Sequence, residues 1–335
     1  MRLIKNQAYA RVGLIGNPSD GYHGKTISLI LKNFCAEVVL YEWEDVEIVW
    51  TEQDQTRFDS VQALVKDVKL HGYYGGVRLI KATIKKFVEY CESQKVKLHK
   101  KNFSVRYHSD VPRQVGLAGS SAIIVATLRC LIDFYEVDIP KVVQPSLVLS
   151  VEEEELGITA GLQDRVIQIY EGLVYMDFAK EQVQLRCGLE HGIYESLDPT
   201  LLPPIYVAYS GDLGEPTEVF HNDIRGRYQR GDKVVVSAMQ RCADLAVAAR
   251  EAILDQEPDR LHELIDENFN VRRSIYQLPP GQVRMVEVAR SVGASAKFAG
   301  SGGAIVGTYK DRQGLTTLRE KLYAIGCHVI TPKEN

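Results

Sequence analysis

The spacing of apolar positions changes character along the chain. Residues 8–16 and 26–50 are rich in β-branched and aromatic side chains in partial alternation, which predicts strands. Between 76 and 94, Val77, Ile80, Ile84, Phe87, Val88 and Cys91 fall at helical spacing, the stripe of an amphipathic helix. Phe103, Val105 and Tyr107 then alternate on one face of a further strand. From 113 to 134 a glycine-rich stretch runs into an apolar helix, with Pro112 marking the turn before it. Helical spacing returns near 145–156 and 162–171, and Gly172 opens another strand over 172–178.

Between 180 and 204 the periodicity breaks down, ending in Leu202-Pro203-Pro204, and a domain boundary is expected there. The chain divides on this reading into residues 1–190 and 191–335. The second part predicts a strand at 205–210 and helices near 231–255, 258–276 and 281–292. Two short strands around Gly300–Gly303, a helix and a last short strand follow. Strands and helices without regular βαβ alternation predict an α+β fold.

Composition narrows the function. A length of 335 residues suits two domains with substantial cores. Hydrophobic residues at 45% and charged residues at 25% exclude a disordered chain. Forty Lys and Arg against 44 Asp and Glu leave a net charge of −4, and no long basic run offers a nucleic-acid footprint. Cys35, Cys91, Cys130, Cys187, Cys242 and Cys327 are scattered without ligand spacing, as expected of reduced cysteines that mostly sit in the core. No run of 18 apolar residues and no leader-like amino terminus is present, so a cytoplasmic protein without a membrane partner is expected. Nothing in the pattern specifies an oligomeric state.

Two glycine-rich segments carry candidate chemistry. Gly116-Leu117-Ala118-Gly119-Ser120-Ser121-Ala122 directly precedes an apolar helix, so backbone N–H groups and the positive end of the helix dipole converge on one place, which suits an anion. A serine hydroxyl there can add a hydrogen bond or a Mg²⁺ ligand, or can act simply as an N-cap. Gly300-Ser301-Gly302-Gly303 predicts a tight turn with close backbone approach, and Lys297 just before it can add a positive charge. A third segment, Ser19 to Thr26, ends in Gly-Lys-Thr like a phosphate-binding P-loop, but it lacks the first glycine and is followed by strand-like sequence.

Acidic chemistry is concentrated at 152–164. Glu152 to Glu155 form a run that ordinarily marks a solvated helix face. Phosphoryl transfer needs one acid to hold Mg²⁺ and often a second to orient or deprotonate the acceptor hydroxyl. Glu152 or Glu153 suits the first role and Asp164, at the start of an apolar helix, the second. Arg165 beside it can pair with an acid or bind an anionic substrate group.

In this order the segments resemble the motifs of the GHMP kinases. Ala10-Arg11-Val12-Gly13-Leu14-Ile15-Gly16 is similar to the first motif, residues 116–122 to the second, and Lys297 to Gly303 to the third. Gly157 to Asp164 resembles the segment bearing the family's catalytic aspartate. Within the class, Gly16-Asn17-Pro18-Ser19-Asp20, Gly72 to Arg78, Gly161 to Arg165, Asn268-Phe269 and Arg272-Arg273 resemble the glucuronokinases.

The resemblance implies a ribosomal-S5-like N-terminal domain and a ferredoxin-like C-terminal domain, with ATP as cosubstrate, Mg²⁺ as cofactor and a uronic acid sugar as acceptor. It implies phosphorylation at the anomeric hydroxyl, with kinases for galacturonate or a heptose, or a silent ligand-sensing relative, as alternatives. It gives Asp164 and Arg11 catalytic roles, and gives Gly116, Leu117, Ala118, Gly119, Ser120, Ser121 and Ala122 to the nucleotide phosphates. Ser120 or Ser121 with Glu152 or Glu153 would hold the metal. Asn17, Asp20, Tyr74, Gly75, Arg165 and Gly302 would meet the acceptor. Two departures from galactokinase-like sequences bear on the sugar. Asn17-Pro18-Ser19-Asp20 replaces Glu-His-Thr-Asp, which disfavours galactose, and Arg165 replaces a glutamine, which suits a carboxylate-bearing acceptor.

Overall fold

A computed structural model describes residues 3–49, 75–211 and 218–333, with the side chains of 218–223 set aside. The first part is organised by a long antiparallel hairpin of β1 (Leu3–Ile15) and β2 (Lys25–Trp43). A 3₁₀ turn, Ser19–Tyr22, closes the hairpin, and Lys25 opens β2 directly. The Gly-Lys-Thr segment therefore enters a strand, and the helix that a P-loop needs does not follow it. β3 (Glu47–Ile48), α1 (Gly76–Ser93), β4 (Asn102–Ser109), α2 (Gly119–Tyr135), α3 (Gln144–Ser150), α4 (Leu162–Tyr170) and β5 (Leu173–Asp177) follow.

Beyond them come β6 (Gln184–Arg186), β7 (Leu189–His191) and β8 (Ile193–Leu197), in the stretch where sequence periodicity gives no element. β2 is long enough to take β5 along its first half and β4 along its second, with β3 and β8 outside these. Helices α1, α2 and α3 cover one face, where Ile80, Phe87, Phe103, Ile124, Leu131 and Val148 pack into one core. Burial of this apolar face, at ~25 cal/mol per Å², is what gives the alternating and helical stripes their structural meaning.

The first sheet extends to Leu197, past position 190, and the next strand belongs to a second sheet. That sheet comes from β9 (Ile205–Ser210), β10 (Lys297–Phe298), β11 (Ala304–Thr308) and β12 (Cys327–Ile330), all antiparallel in the order β10-β11-β9-β12. The helices of this part are α5 (Glu218–Gln229), α6 (Lys233–Leu254), α7 (Pro258–Ile275), α8 (Pro280–Ser291) and α9 (Arg312–Tyr323). All but α5 match the expected helices. A shared core, including Val12, Leu14 and Ile27 with Val207, Leu245, Ile265 and Val306, fuses the two sheets. The architecture is the α+β, two-domain fold expected from the sequence. No helix among the described residues is long and apolar enough to cross a membrane.

Candidate functional site

The two glycine-rich loops meet at β1. Arg11 N donates to Leu117 O at 3.3 Å and Gly13 N to Ala299 O at 2.7 Å, so both loops are laid along the same strand. They also touch each other. A Cβ on Gly116, whose φ is +70°, would stand 2.7 Å from Gly302 O, and one on Gly300 would stand 2.3 Å from Gly116 O. Glycine is required here because backbone meets backbone.

The loop's carbonyls are turned inward. Gly116 O accepts from Arg11 Nη1 at 2.6 Å, Leu117 O from Arg11 N, and Ala118 O from Gln168 Nε2 at 2.9 Å. In a trans peptide, C=O and N–H point in opposite directions. The N–H groups of Leu117, Ala118 and Gly119 therefore face away from Arg11 and Gln168, at the mouth of α2. Ala118, with φ 63°, turns the chain into that helix. Amides and helix dipole are thus directed to one place, an arrangement that suits an anion.

Helix α4 supplies the charges. Arg11 Nε and Nη2 donate to Asp164 Oδ1 and Oδ2, each at 2.6 Å, in a two-pronged pair. Burial opposes the charge on Asp164, but Arg11 and then Arg165 outweigh it and hold its carboxyl below the ordinary carboxylate range. Arg165 is buried. Its Nε donates to Glu152 Oε2 at 2.7 Å, Nη2 reaches the same oxygen, and Nη1 donates to Gly161 O at 2.8 Å. Asp164 Oδ2 lies 3.6 Å from Arg165 Nη1. One helical turn beyond Asp164, Gln168 also binds Tyr9 O at 3.0 Å, so the same helix face braces β1 and the glycine loop.

The four consecutive glutamates split. Residues 151–155 form a π-helical turn that continues α3, and this wider turn carries Glu152 into the interior at 2% exposure. Burial raises its carboxyl pKa despite the guanidinium beside it. Glu154 and Glu155 pair instead with Lys86 and Lys85 of α1, as the solvated face that an acidic run suggests. Glu153 stays partly exposed. Its Oε1 accepts weakly from Ala160 N at 3.4 Å and lies 3.8 Å from Arg225 Nη2.

Asp20 belongs to the same charge cluster. A Cβ on Gly161 would come within 2.2 Å of its Oδ2, so this glycine exists to admit the carboxylate. Burial first, and the Asp164 carboxylate second, push the Asp20 carboxyl up to about 6. The sign follows from linkage: the unfolded chain ionises near 3.9 and the folded chain only near 6. Stability is greatest when the group is protonated in both states and falls as pH rises from about 4 to 6. Asp20→Asn should therefore raise stability at pH 7.5 by up to about 3 kcal/mol, a gain that vanishes toward pH 4. Melting temperatures of both proteins across that range check it. An equal shift at every pH would contradict it.

The remaining expected residues fall as follows. Asn17, buried, binds Phe298 O through Nδ2 at 3.4 Å, and its Oδ1 accepts from Lys297. Gly75 caps the start of α1, whose Arg78 reaches Leu156 O at 3.2 Å, beside the acids. Tyr74 lies outside the described residues. Ser121 is buried with its hydroxyl donating to Ala118 O at 3.3 Å, and Ser120 and Ala122 continue the first turn of α2.

Other residues of the site are engaged in ways the sequence does not announce. Lys297 is fully enclosed at 2% exposure, donating to Gly13 O at 2.7 Å and Phe298 O at 2.8 Å, and burial lowers its pKa well below the ordinary value. Arg272 donates to Gly300 O at 2.7 Å and Ser301 O at 3.1 Å, so it holds the third glycine loop from behind. It lies against the rings of Tyr276 and Phe298, which replace some of the hydration that a buried guanidinium loses. Tyr22, two residues after Asp20 in the same 3₁₀ turn, packs on Tyr228 of α5 with ring centroids 4.7 Å apart.

Comparison with known proteins agrees with this geometry. Residues 78–172 match the GHMP kinases N terminal domain. "Glucuronokinase 1" of Arabidopsis thaliana is 45% identical over 309 residues, which is 90% of this chain and 84% of that protein. "Probable glucuronokinase 2" of the same plant is 44% identical over 312 residues, covering 91% and 84%. Among solved structures, Lactococcus lactis galactokinase complexed with galactose superposes with a TM-score of 0.78 at 15% identity, covering 99% of this chain and 93% of that one. A pair of interlocked glycine loops, an aspartate gripped by the first-strand arginine and this degree of relatedness place the chain in the GHMP kinase family.

Proposed function

We propose that the chain transfers the γ-phosphoryl group of ATP to the anomeric hydroxyl of D-glucuronate, giving glucuronate 1-phosphate and ADP. The observation that carries the choice of acceptor is the 45% identity, over nine-tenths of the chain, with a protein named as a glucuronokinase. In this reading the amides of Leu117, Ala118 and Gly119 and the first turn of α2 cradle the nucleotide phosphates. Gly116, Gly302 and the neighbouring glycines keep side chains out of the way. Asp164 receives the acceptor's C1 hydroxyl. Clamped by Arg11 and acidified, it orients that hydroxyl and takes its proton as the new O–P bond forms. Asp20 and Gly75 border the remaining hydroxyls of the sugar, and Asn17, engaged by Lys297 and Phe298 O, supports that wall from behind.

The donor set suits Mg²⁺, which takes oxygen ligands and usually few from protein. Glu152 is engaged by Arg165, whereas Glu153 keeps lone pairs free of any close donor among the described residues. Ser121 donates its proton to Ala118 O, which leaves its oxygen lone pairs for a cation. Glu153 with Ser121 or Ser120 would therefore hold the ion. Bound there, it would supply charge neutralisation to the phosphates. We also propose that the two domains divide within 198–204, between β8 and β9, rather than at 190/191.

Coupled ADP release should be measured over glucuronate, galacturonate, galactose, glucose and heptoses. Glucuronate is expected to give the highest kcat/KM. Equal turnover of glucose and glucuronate, or a preference for a heptose, would overturn the assignment.

A further inference from the structure

If the acceptor is a uronate, some cation must face its carboxylate, and the geometry limits the choice. Among the described residues the guanidiniums of Arg11, Arg78, Arg165, Arg225 and Arg272 border the site, and Arg78 is engaged by Leu156 O at 3.2 Å. Arg11 gives Nε and Nη2 to Asp164 and Nη1 to Gly116 O and Ala299 O, the last at 3.2 Å. Arg165 gives its nitrogens to Glu152 and Gly161 O. Arg272 is 4% exposed and gives both terminal nitrogens to backbone carbonyls of the third glycine loop. These three hold the site's frame together: Arg11 and Arg165 could turn to a substrate only by breaking buried pairs, and Arg272, whose Nε has no hydrogen-bond partner, is enclosed behind the third glycine loop.

Arg225 differs. Its side chain is 44% exposed, and Glu153 Oε1 at 3.8 Å is beyond hydrogen-bond length. Its helix, α5, is held against the turn that carries Asp20. Tyr228, three residues on and so on the same helix face, packs against Tyr22 with the rings tilted at 59° and donates its hydroxyl to Tyr22 O at 3.2 Å. Ile224, one turn before Tyr228, anchors the same side of α5 in a cluster with Val235, Met239, Ile275 and Tyr276. Contacts then lead inward from Arg225 to Glu153, from Glu153 to Ala160 N, and from the adjoining Gly161 to Asp20. Asp164 lies one turn into the helix that Gly161 caps.

We infer that Arg225 is the specificity residue for the acceptor's carboxylate, binding it at the exposed rim of the site beyond Glu153. In a uronate pyranose the carboxylate and the anomeric hydroxyl sit on opposite flanks of the ring oxygen. A guanidinium at the rim and an aspartate at the base fit those two ends, with Asp20 between them for ring hydroxyls. A partly exposed guanidinium with open donors can meet a carboxylate in a fork geometry that lysine does not reproduce. Arg165 on this view positions Asp164 and Glu152 and does not touch the sugar.

The inference rests on the glucuronate reading, and one series separates the two. Wild type, Arg225→Gln and Arg225→Lys are assayed with glucuronate and with its neutral C6 amide, glucuronamide. Arg225→Gln is expected to raise KM for glucuronate roughly 10–100-fold, as for a lost charge-assisted hydrogen bond. KM for ATP, kcat and the melting temperature should change little, glucuronamide turnover should be unaffected, and Arg225→Lys should fall between. A wild-type enzyme inactive on glucuronate defeats the functional reading, and the inference with it. A wild type active on glucuronate whose Arg225→Gln variant keeps the full preference over glucuronamide overturns the role of Arg225 alone.

Discussion

Asp164→Asn is expected to lower kcat by roughly 10²–10⁴, the range for losing a positioned acid or base group in proton transfer, with KM for ATP nearly unchanged. The amide keeps the shape of the carboxylate but offers one oxygen where two now accept from Arg11, and it carries no charge. It cannot hold the proton of an attacking hydroxyl. Arg11, only 6% exposed at its side chain, would lose its counter-charge, so a stability loss of roughly 2–3 kcal/mol should accompany the loss of rate. That is below the full cost of breaking a wholly buried pair because Asp164 retains 20% exposure. Single-turnover phosphoryl transfer with saturating sugar, together with a denaturation curve, measures both. A variant with near-normal turnover would remove Asp164 from the reaction.

The second large effect concerns stability. Arg165→Met should destabilise the fold by about 3–5 kcal/mol, because it strands Glu152 as an uncompensated charge in the interior. The side chains of the pair are only 6% and 3% exposed, so water cannot step in. With the cation gone, the carboxyl climbs further and binds a proton on folding. The loss should then be full at neutral and alkaline pH and shrink as the solution is acidified. Adding Glu152→Leu should recover most of it, since burying two apolar groups is often no worse than burying a pair. Urea denaturation of wild type, single and double variants at pH 5 and pH 8 provides the cycle. Simple additivity of the two substitutions would show that they do not interact.

Much of the scaffold was legible because it follows burial. The stripe of α1, the apolar run of α2, the strand at 205–210 and helices α6 to α9 all declare one face or a continuous core. What escaped has little apolar content to reveal it. β6, with Gln184, Leu185 and Arg186 all exposed, buries nothing, and β7 and β8 are short. α5 has a polar sequence with Gly226 inside it, which lowers helix propensity by about 1 kcal/mol relative to Ala. The glycine loops and the aspartate were legible because motif order ties distant segments together. The partners of the charged residues were not. Arg165 finds Glu152 across a π-turn whose extra width no local pattern announces, so a residue expected to face the substrate is engaged inside the protein. Lys297 was legible as a charge beside the third glycine loop, but not its full enclosure or its bonds to Gly13 O and Asn17 Oδ1.

That lysine bears on how the enzyme can move. Its ammonium holds Gly13 O and Asn17 Oδ1 from the first domain's hairpin while sitting at the start of β10 in the second sheet. Gly13 N–Ala299 O and Asn268 Nδ2–Asn17 O, at 2.7 and 3.2 Å, run across the same seam. Opening the molecule along this line would strip a buried cation of its acceptors with no water to replace them. The seam is therefore a weld rather than a hinge. The hydrogen bonds from Gly13, Asn268 and Lys297 that cross it tie the two sheets together beneath the glycine loops.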